Sequence, residues 1–319
     1  MDAVAWRRGR FLLVLLAVAA IAVGACTSSG GTTSSEAPAS EAPATDAPSS
    51  MAPASEAPAS EAPPIEGGLL DKVMTAGKII MSTDPQYPPQ SELTAEGNYE
   101  GFDIDVGTEI AKRLGVEIGF ETPSWDVITA GSWAGRWDFS VGSMTITTQR
   151  QEVLDFSDPY YYTPAQMAAH ADGGITTLDD LAGKVICVGN ATTYLDWLNG
   201  SLDFGTESPQ TAPPEGATAT TLDTDRLCAE AWRAGRTDFD GWLSSSTTVQ
   251  AAVDDGLPVV AVGEPVFYEP LAVAFDKGGP DPSDLVTRVN AILADMREDG
   301  TLKEMSEKWF GLDLTEKQG

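Results

Sequence analysis

From Leu69 onward the chain alternates short apolar runs with amphipathic stretches, and this alternation limits its fold more than any other feature. Residues 78–82 read as a strand, 103–114 as a helix, 116–120 as a strand, 125–134 as a helix and 138–142 as a strand. In the first helix Val106, Ile110 and Leu114 share one face with Ala111 beside them, the spacing of a helix laid on a sheet. Asp103 and Asp105 suit its positive N-terminal end, Lys112 and Arg113 its negative end, and Gly115 stops it. A β-α-β-α-β series implies an α/β fold with a mostly parallel, doubly wound sheet.

A second set begins near Thr163, with strands at 184–188 and 238–243 and helices at 193–199, 223–234 and 246–253. Strands at 258–262 and 271–275 and helices at 282–299 and 301–310 complete it. Two such sets predict two lobes, each a sheet flanked by helices. Ligands bind at the carboxyl ends of strands in open α/β sheets, so facing lobes form a cleft.

The chain ahead of this region cannot build a core. Arg7, Arg8 and Arg10 precede an apolar run over 11–23, which as a helix would span ~20 Å, short of the ~30 Å hydrocarbon core. That is the form of an exported leader, 1–25, ending in Val23-Gly24-Ala25-Cys26. Those four residues resemble a bacterial lipobox, in which Cys26 accepts the lipid; an uncleaved N-terminal anchor is the alternative. Residues 26–68 are rich in Ala, Pro, Ser and Glu, and Ala-Pro-Ala-Ser-Glu-Ala-Pro-Ala occurs at 37–44 and again at 52–59. Frequent prolines and mutually repelling acids make this a tether.

Charge removes whole classes of function. The net charge is -29, and 69–319 alone carry 41 acids against 16 bases, so a nucleic-acid partner is excluded. The single histidine, His170, leaves little scope for zinc or for a Ser-His-Asp arrangement, and no phosphate-binding loop is present. No cofactor and no metal are expected.

Several motifs in order then become recognisable. Gly101-Phe102-Asp103-Ile104-Asp105-Val106, Trp125-Asp126, Gly135-Arg136-Trp137-Asp138 and Gly142-Ser143-Met144-Thr145-Ile146-Thr147 with Arg150 are followed by Asp155-Phe156-Ser157-Asp158-Pro159-Tyr160. With Asp299-Gly300-Thr301-Leu302 and Lys308-Trp309-Phe310-Gly311, this resembles the family 3 extracellular solute-binding proteins, the amino-acid receptors of ABC importers. The resemblance implies a two-lobed type II periplasmic-binding-protein fold crossed twice by the chain, near 161–164 and 263–266. Lobe one would be 69–163 plus 266–319, and lobe two 164–265. It further implies a monomer at the extracellular face of the cell membrane or in the periplasm, lipid-anchored, non-enzymatic, handing a polar or cationic amino acid to importer membrane subunits.

The same resemblance assigns roles. Arg150 would clasp the ligand carboxylate with two parallel hydrogen bonds. Ser143 and Thr145, alternate residues leaving the third strand, would both face the cleft. Thr192 and Thr193 open a helix and would meet the carboxylate, although Ala191 stands where the family has glycine and Thr193 is equally a candidate N-cap. Tyr87 and Trp125 match the rings that sandwich a ligand side chain, with core packing the alternative for Trp125. Asp84 matches the partner of a basic side chain or is a turn residue, and Gln90 would add a polar contact.

One departure matters. Where the family pairs the ligand ammonium with an aspartate, counting from Gly235-Arg236-Thr237-Asp238 leads to Leu243, leaving Asp240, Glu264 or Glu269 as acceptors. Relatives of this fold also include cyclohexadienyl dehydratases, which need an acid in the cleft; Glu264 and Glu269 are the candidates. Outside the cell Cys187 and Cys228 are expected to form a disulfide, two buried thiols being the alternative.

Overall fold

The computed structural model describes residues 64–205 and 211–317; the expected leader, most of the tether and Cys26 lie outside the described residues. Helix α1 (Leu69–Ala76) and strand β1 (Lys78–Ser82) open the first lobe. The short strands β2 (Gln86–Tyr87), β3 (Ser91–Leu93) and β4 (Tyr99–Glu100) form a small sheet ahead of α2 (Phe102–Leu114). Then come β5 (Glu117–Glu121), α3 (Trp125–Thr129), β6 (Phe139–Thr145), α4 (Thr148–Gln151) and β7 (Leu154–Phe156). Strand β8 (Tyr161–His170) leads into β9 (Val185–Gly189), α5 (Thr193–Leu198), β10 (Thr218–Leu222) and α6 (Arg226–Arg233). Strand β11 (Gly241–Ser245), α7 (Ser246–Asp254), the long β12 (Val259–Asp276), α8 (Ser283–Glu298) and α9 (Thr301–Phe310) follow.

Helix α2 ends as its sequence suggests, on Gly115 at φ 76°. Its start explains the Gly-Phe-Asp motif. Gly101 has φ 133°, and a Cβ there would lie 2.2 Å from the Gln90 carbonyl oxygen, so no other residue fits. The Asp103 N–H donates to that same carbonyl at 2.9 Å, which ties the helix start to the segment carrying Gln90.

Helix α3 stops at Thr129, not at 134. The Asp276 carboxylate, far away in sequence, accepts the N–H of Ser132 at 2.9 Å and of Trp133 at 2.6 Å, competing with a further helical turn. Ser132 and Ala134 then take φ of 56° and 55°.

The sheet order is β10-β9-β11-β8-β12-β6-β1-β5, with β7 paired to β12. The outer pairs β1–β5, β1–β6, β9–β10 and β9–β11 are parallel, whereas β8 and β12 run antiparallel through the middle. Tyr161 and Leu271 pack in one hydrophobic core with α1, α2, α8 and α9. Ala165 and Phe267 pack in another with β9 and α5. The fold is therefore two-lobed α/β, and β8 and β12 carry the chain between lobes at 162–164 and 268–270. The return crossing falls later than 263–266 because the strands expected at 258–262 and 271–275 are one. A register shift between Val262 and Phe267 accommodates Gly263 and Pro265 without ending the strand.

In the second lobe, Cys187 on β9 and Cys228 on α6 are joined, with Cα atoms 5.9 Å apart. Both are fully buried beside Trp232, Phe239 and Trp242.

Candidate functional site

The lobes close on each other around a cavity enclosing about 440 Å³ of non-protein space, part of it open to solvent. Arg150 reaches it from α4, whose N-cap Thr147 accepts the Arg150 N–H at 3.2 Å. The arginine is 7% exposed; Nη1 donates to the Thr145 carbonyl and Nη2 to the Ala191 carbonyl of the opposite lobe, each at 3.0 Å. Its guanidinium lies 5.6 Å from the Trp125 ring centroid, and among the described residues it has no ion-pair partner. Burial pushes its pKa down, while Glu269 and Asp196 oppose that.

Asp84, Tyr87, Trp125, Ser143 and Thr145 complete the first lobe's wall. Trp125 Nε1 donates to the Ala191 carbonyl at 3.2 Å, and the Tyr87 and Tyr194 hydroxyls meet across the cleft at 3.4 Å. Ser143 lines the cavity, but the alternation argument fails there. The residue has φ 53°, opposite a register shift in β12, and its N–H donates to the Tyr160 hydroxyl at 3.0 Å. Its hydroxyl turns to the buried Asp103 at 2.7 Å and to Tyr161 at 2.6 Å.

The second lobe contributes Thr192, Thr193, Tyr194 and Asp225. Thr192, not Thr193, caps α5, accepting the Leu195 N–H at 3.4 Å. Ala191 before it sits at φ 57°, a left-handed conformation glycine adopts without strain. The Thr193 hydroxyl donates instead to Glu269.

Glu269 lies on β12 at the crossing, 1% exposed. Thr145 Oγ1 from one lobe donates to it at 2.7 Å and Tyr194 from the other at 2.8 Å. Asp240 instead faces Lys184 at 3.4 Å and Glu264 is exposed, so of the three acceptors named from sequence only Glu269 lines the cavity.

Two expectations need correction. Gln90 does not line the cavity. It is fully buried, and its Nε2 donates to Ser245 Oγ at 3.0 Å and to Thr247 Oγ1 at 2.6 Å across the cleft. Leu243 is not the end of its strand. Strand β11 starts at Gly241 and runs to Ser245, which puts Leu243 in the second lobe's core.

Sequence reasoning missed Asp225. It lies two residues past the predicted start of its helix, where an acid reads as an N-terminal charge. Here its side chain makes no cap. One carboxylate oxygen accepts the Gly189 N–H at 2.5 Å and the other the Ser244 hydroxyl at 3.3 Å. Its significance depends on β9 and α6 converging, which local sequence does not show.

The cavity favours positive charge. Burial pushes Asp225 up to about 8, with Glu269 and Asp84 adding to the shift, and pushes Asp84 up to about 6. Burial also raises Glu269, against the hydrogen bonds of Thr193, Thr145 and Tyr194. Asp103, behind Ser143, is raised by burial to about 7. Among the described residues no group of His, Cys, Asp and Glu is placed to hold a metal ion. His170 packs edge-on to Trp232 at 5.9 Å.

Two lobes hinged on paired strands and closed over a polar cavity define a solute-binding protein. The model of bacterial extracellular solute-binding proteins, family 3, matches residues 79–312, and the chain belongs to that family. It is 32% identical over 252 residues to the L-cystine-binding protein TcyJ of Escherichia coli (strain K12), covering 78% of this chain and 88% of that protein. Among solved structures it resembles the ancestral amino acid-binding protein AncCDT-1, described as a precursor of cyclohexadienyl dehydratase. The TM-score is 0.64 at 30% identity, covering 76% of this chain and 99% of that one. It also resembles an ancestral arginine-binding protein bound to arginine, with TM-score 0.63 and 29% identity over 74% of this chain and 99% of that one.

Proposed function

We propose that this chain is a lipid-anchored receptor at the outer face of the cell membrane that captures a polar or cationic amino acid for an ABC importer. The observation that carries the reading is Arg150, a buried guanidinium at the cavity with no carboxylate partner among the described residues, positioned for a ligand's. Glu269 accepts the α-ammonium in place of the family's aspartate. Asp84 and Asp225 add further negative charge, which favours cationic side chains. Tyr87 and Trp125 hold the aliphatic stem.

The closed form is the one the importer's membrane subunits recognise, and Cys26 carries the lipid. A melting screen with the twenty amino acids, polyamines and small organic acids tests the reading. Ligand at a hundred times its Kd adds about 2.7 kcal/mol of stability. The shift should vanish in Arg150→Ala and persist in Arg236→Ala, a surface arginine paired with Asp238. Persistence of the shift in Arg150→Ala would overturn the proposal.

Glu269 also favours an enzyme on this fold, because of the two acids named from sequence for that role it is the one buried in the cleft, with a raised pKa. Turnover of a prephenate-like acid, abolished by Glu269→Gln, with no amino acid bound, would replace the receptor reading.

A further inference from the structure

Burying a carboxylate without a cation is costly, and proteins tolerate it where a ligand supplies the missing charge. Asp225 is such a group. It is 5% exposed, lines the cavity, and its neighbour Arg226 is committed to Asp255 at 2.5 Å instead. It precedes α6, where an aspartate ordinarily accepts a helix N–H, yet it makes no cap. Its carboxylate is turned to Gly189 and Ser244 instead.

The surroundings hold it there. A Cβ on Gly189 would lie 2.4 Å from Asp225 Oδ1, so only glycine admits this approach. Cys187, two residues before Gly189, is bonded to Cys228, three residues after Asp225, so the disulfide fixes β9 against the start of α6. The Asp225 carbonyl also accepts the Cys228 N–H at 3.1 Å.

The charges lining the cavity decide what Asp225 can hold: the carboxylates of Asp84, Asp223, Asp225 and Glu269 face one arginine, Arg150. Glu269 shares Thr145 and the field of Arg150, the carboxylate-binding end. Asp225 feels Glu269 and, more weakly, Asp84 from the facing lobe. With a ligand's carboxylate on Arg150 and its ammonium on Glu269, the carboxylates of Asp84 and Asp225 are still without a counter-charge, and only a further positive charge on the ligand supplies one.

We propose that Asp225 is a specificity-determining residue: it selects amino acids carrying a second positive charge besides the α-ammonium, a guanidinium or a second ammonium. This rests on the receptor reading above. Arginine, lysine, ornithine and cystine share this chemistry; citrulline and glutamine lack it.

The test is calorimetric titration of the purified chain and of Asp225→Asn with L-arginine and its neutral near-isostere L-citrulline, with L-lysine, L-ornithine and L-cystine alongside. The expected result is at least tenfold preference for the charged ligands, with Asp225→Asn lowering their affinity at least tenfold and leaving L-citrulline within threefold. The melting temperature of the empty variant is measured at pH 8. It should equal or exceed that of the parent, since an unpaired buried charge has gone, whereas a purely structural Asp225 would lower it and weaken every ligand alike. Three results overturn the inference: an arginine-to-citrulline ratio unchanged within twofold, uniform loss for all ligands, or a parent chain that binds only amino acids lacking a second positive charge. The last leaves the receptor reading intact, whereas binding of no amino acid at all removes both.

Discussion

Gln90 of the first lobe and Ser245 of the second are joined side chain to side chain, Nε2 to Oγ, at 3.0 Å in a fully buried position. Thr247 accepts a second bond from Gln90 at 2.6 Å, and the Thr248 hydroxyl donates to Gln90 Oε1 at 3.2 Å. One amide thus meets three hydroxyls at the start of α7, and Gly101 packed on the Gln90 carbonyl fixes its backbone. Opening the cleft must break all three bonds.

The first prediction concerns that contact. Replacing Gln90 with Ala removes bonds present only in the closed form, each worth about 0.5–1.5 kcal/mol net. The closed population falls, and apparent affinity falls with it. Roughly tenfold weaker binding is expected, mainly through faster dissociation, with a larger radius of gyration for the empty chain by small-angle scattering. Unchanged dissociation kinetics would show that Gln90 does not latch the cleft.

The second concerns pH and ligand. In the empty cleft Asp225 titrates at about 8 and Asp84 at about 6. A cationic ligand favours their ionised forms and lowers both values, so binding near pH 7 should release protons. L-arginine affinity should rise from pH 5 to pH 8, by up to roughly tenfold per pH unit for each group that must ionise. L-citrulline should respond much less. Titration in buffers of different ionisation enthalpy measures the release directly, and no buffer dependence at pH 7 would refute it.

The third concerns the empty chain. Asp103, Asp225 and Asp84 all have native values raised above the ordinary ~3.9 of an unfolded aspartate. Their contribution to stability is fully present below that value and is lost as pH rises through about 6 to 8. Asp299, lowered to about 2 chiefly by its hydrogen bonds to Thr301, acts in the opposite sense, but its contribution is lost only in stronger acid. The empty receptor should therefore melt at a higher temperature at pH 5.5 than at pH 8, and saturating cationic ligand should narrow the gap. Equal melting at both values would mean that these acids are not perturbed.

Much of this was legible in sequence, and the failures share a cause. The helix period of Val106, Ile110 and Leu114 and the stop at Gly115 depend on local chemistry, and α2 forms as they require. Arg150, Thr145 and Trp125 line the cavity: Thr145 ends β6, Trp125 opens α3 and Arg150 lies in the single turn of α4. The missed features depend on partners distant in sequence. Asp276 shortens α3 by capturing two N–H groups more than 140 positions away. Gln90 is taken by hydroxyls 155 or more positions away. The end of β11 was misjudged by two residues, enough to move attention from Ser245 to the core residue Leu243.

The last prediction concerns the disulfide. Cys187 and Cys228 are 41 positions apart, and in the chain-entropy account closing such a loop stabilises by about 4 kcal/mol, less any strain. Replacing both with Ala should therefore cost about 2–4 kcal/mol in urea denaturation, with the midpoint falling. Both sulfurs are fully buried, so reductant should act on the parent chain only as fast as it opens. If the bond also anchors Asp225, the double variant should lose L-arginine affinity more than L-citrulline affinity at a temperature where it remains folded. Equal stability of parent and variant would mean that β9 and α6 hold together without the bond. Equal loss for both ligands would confine its role to stability.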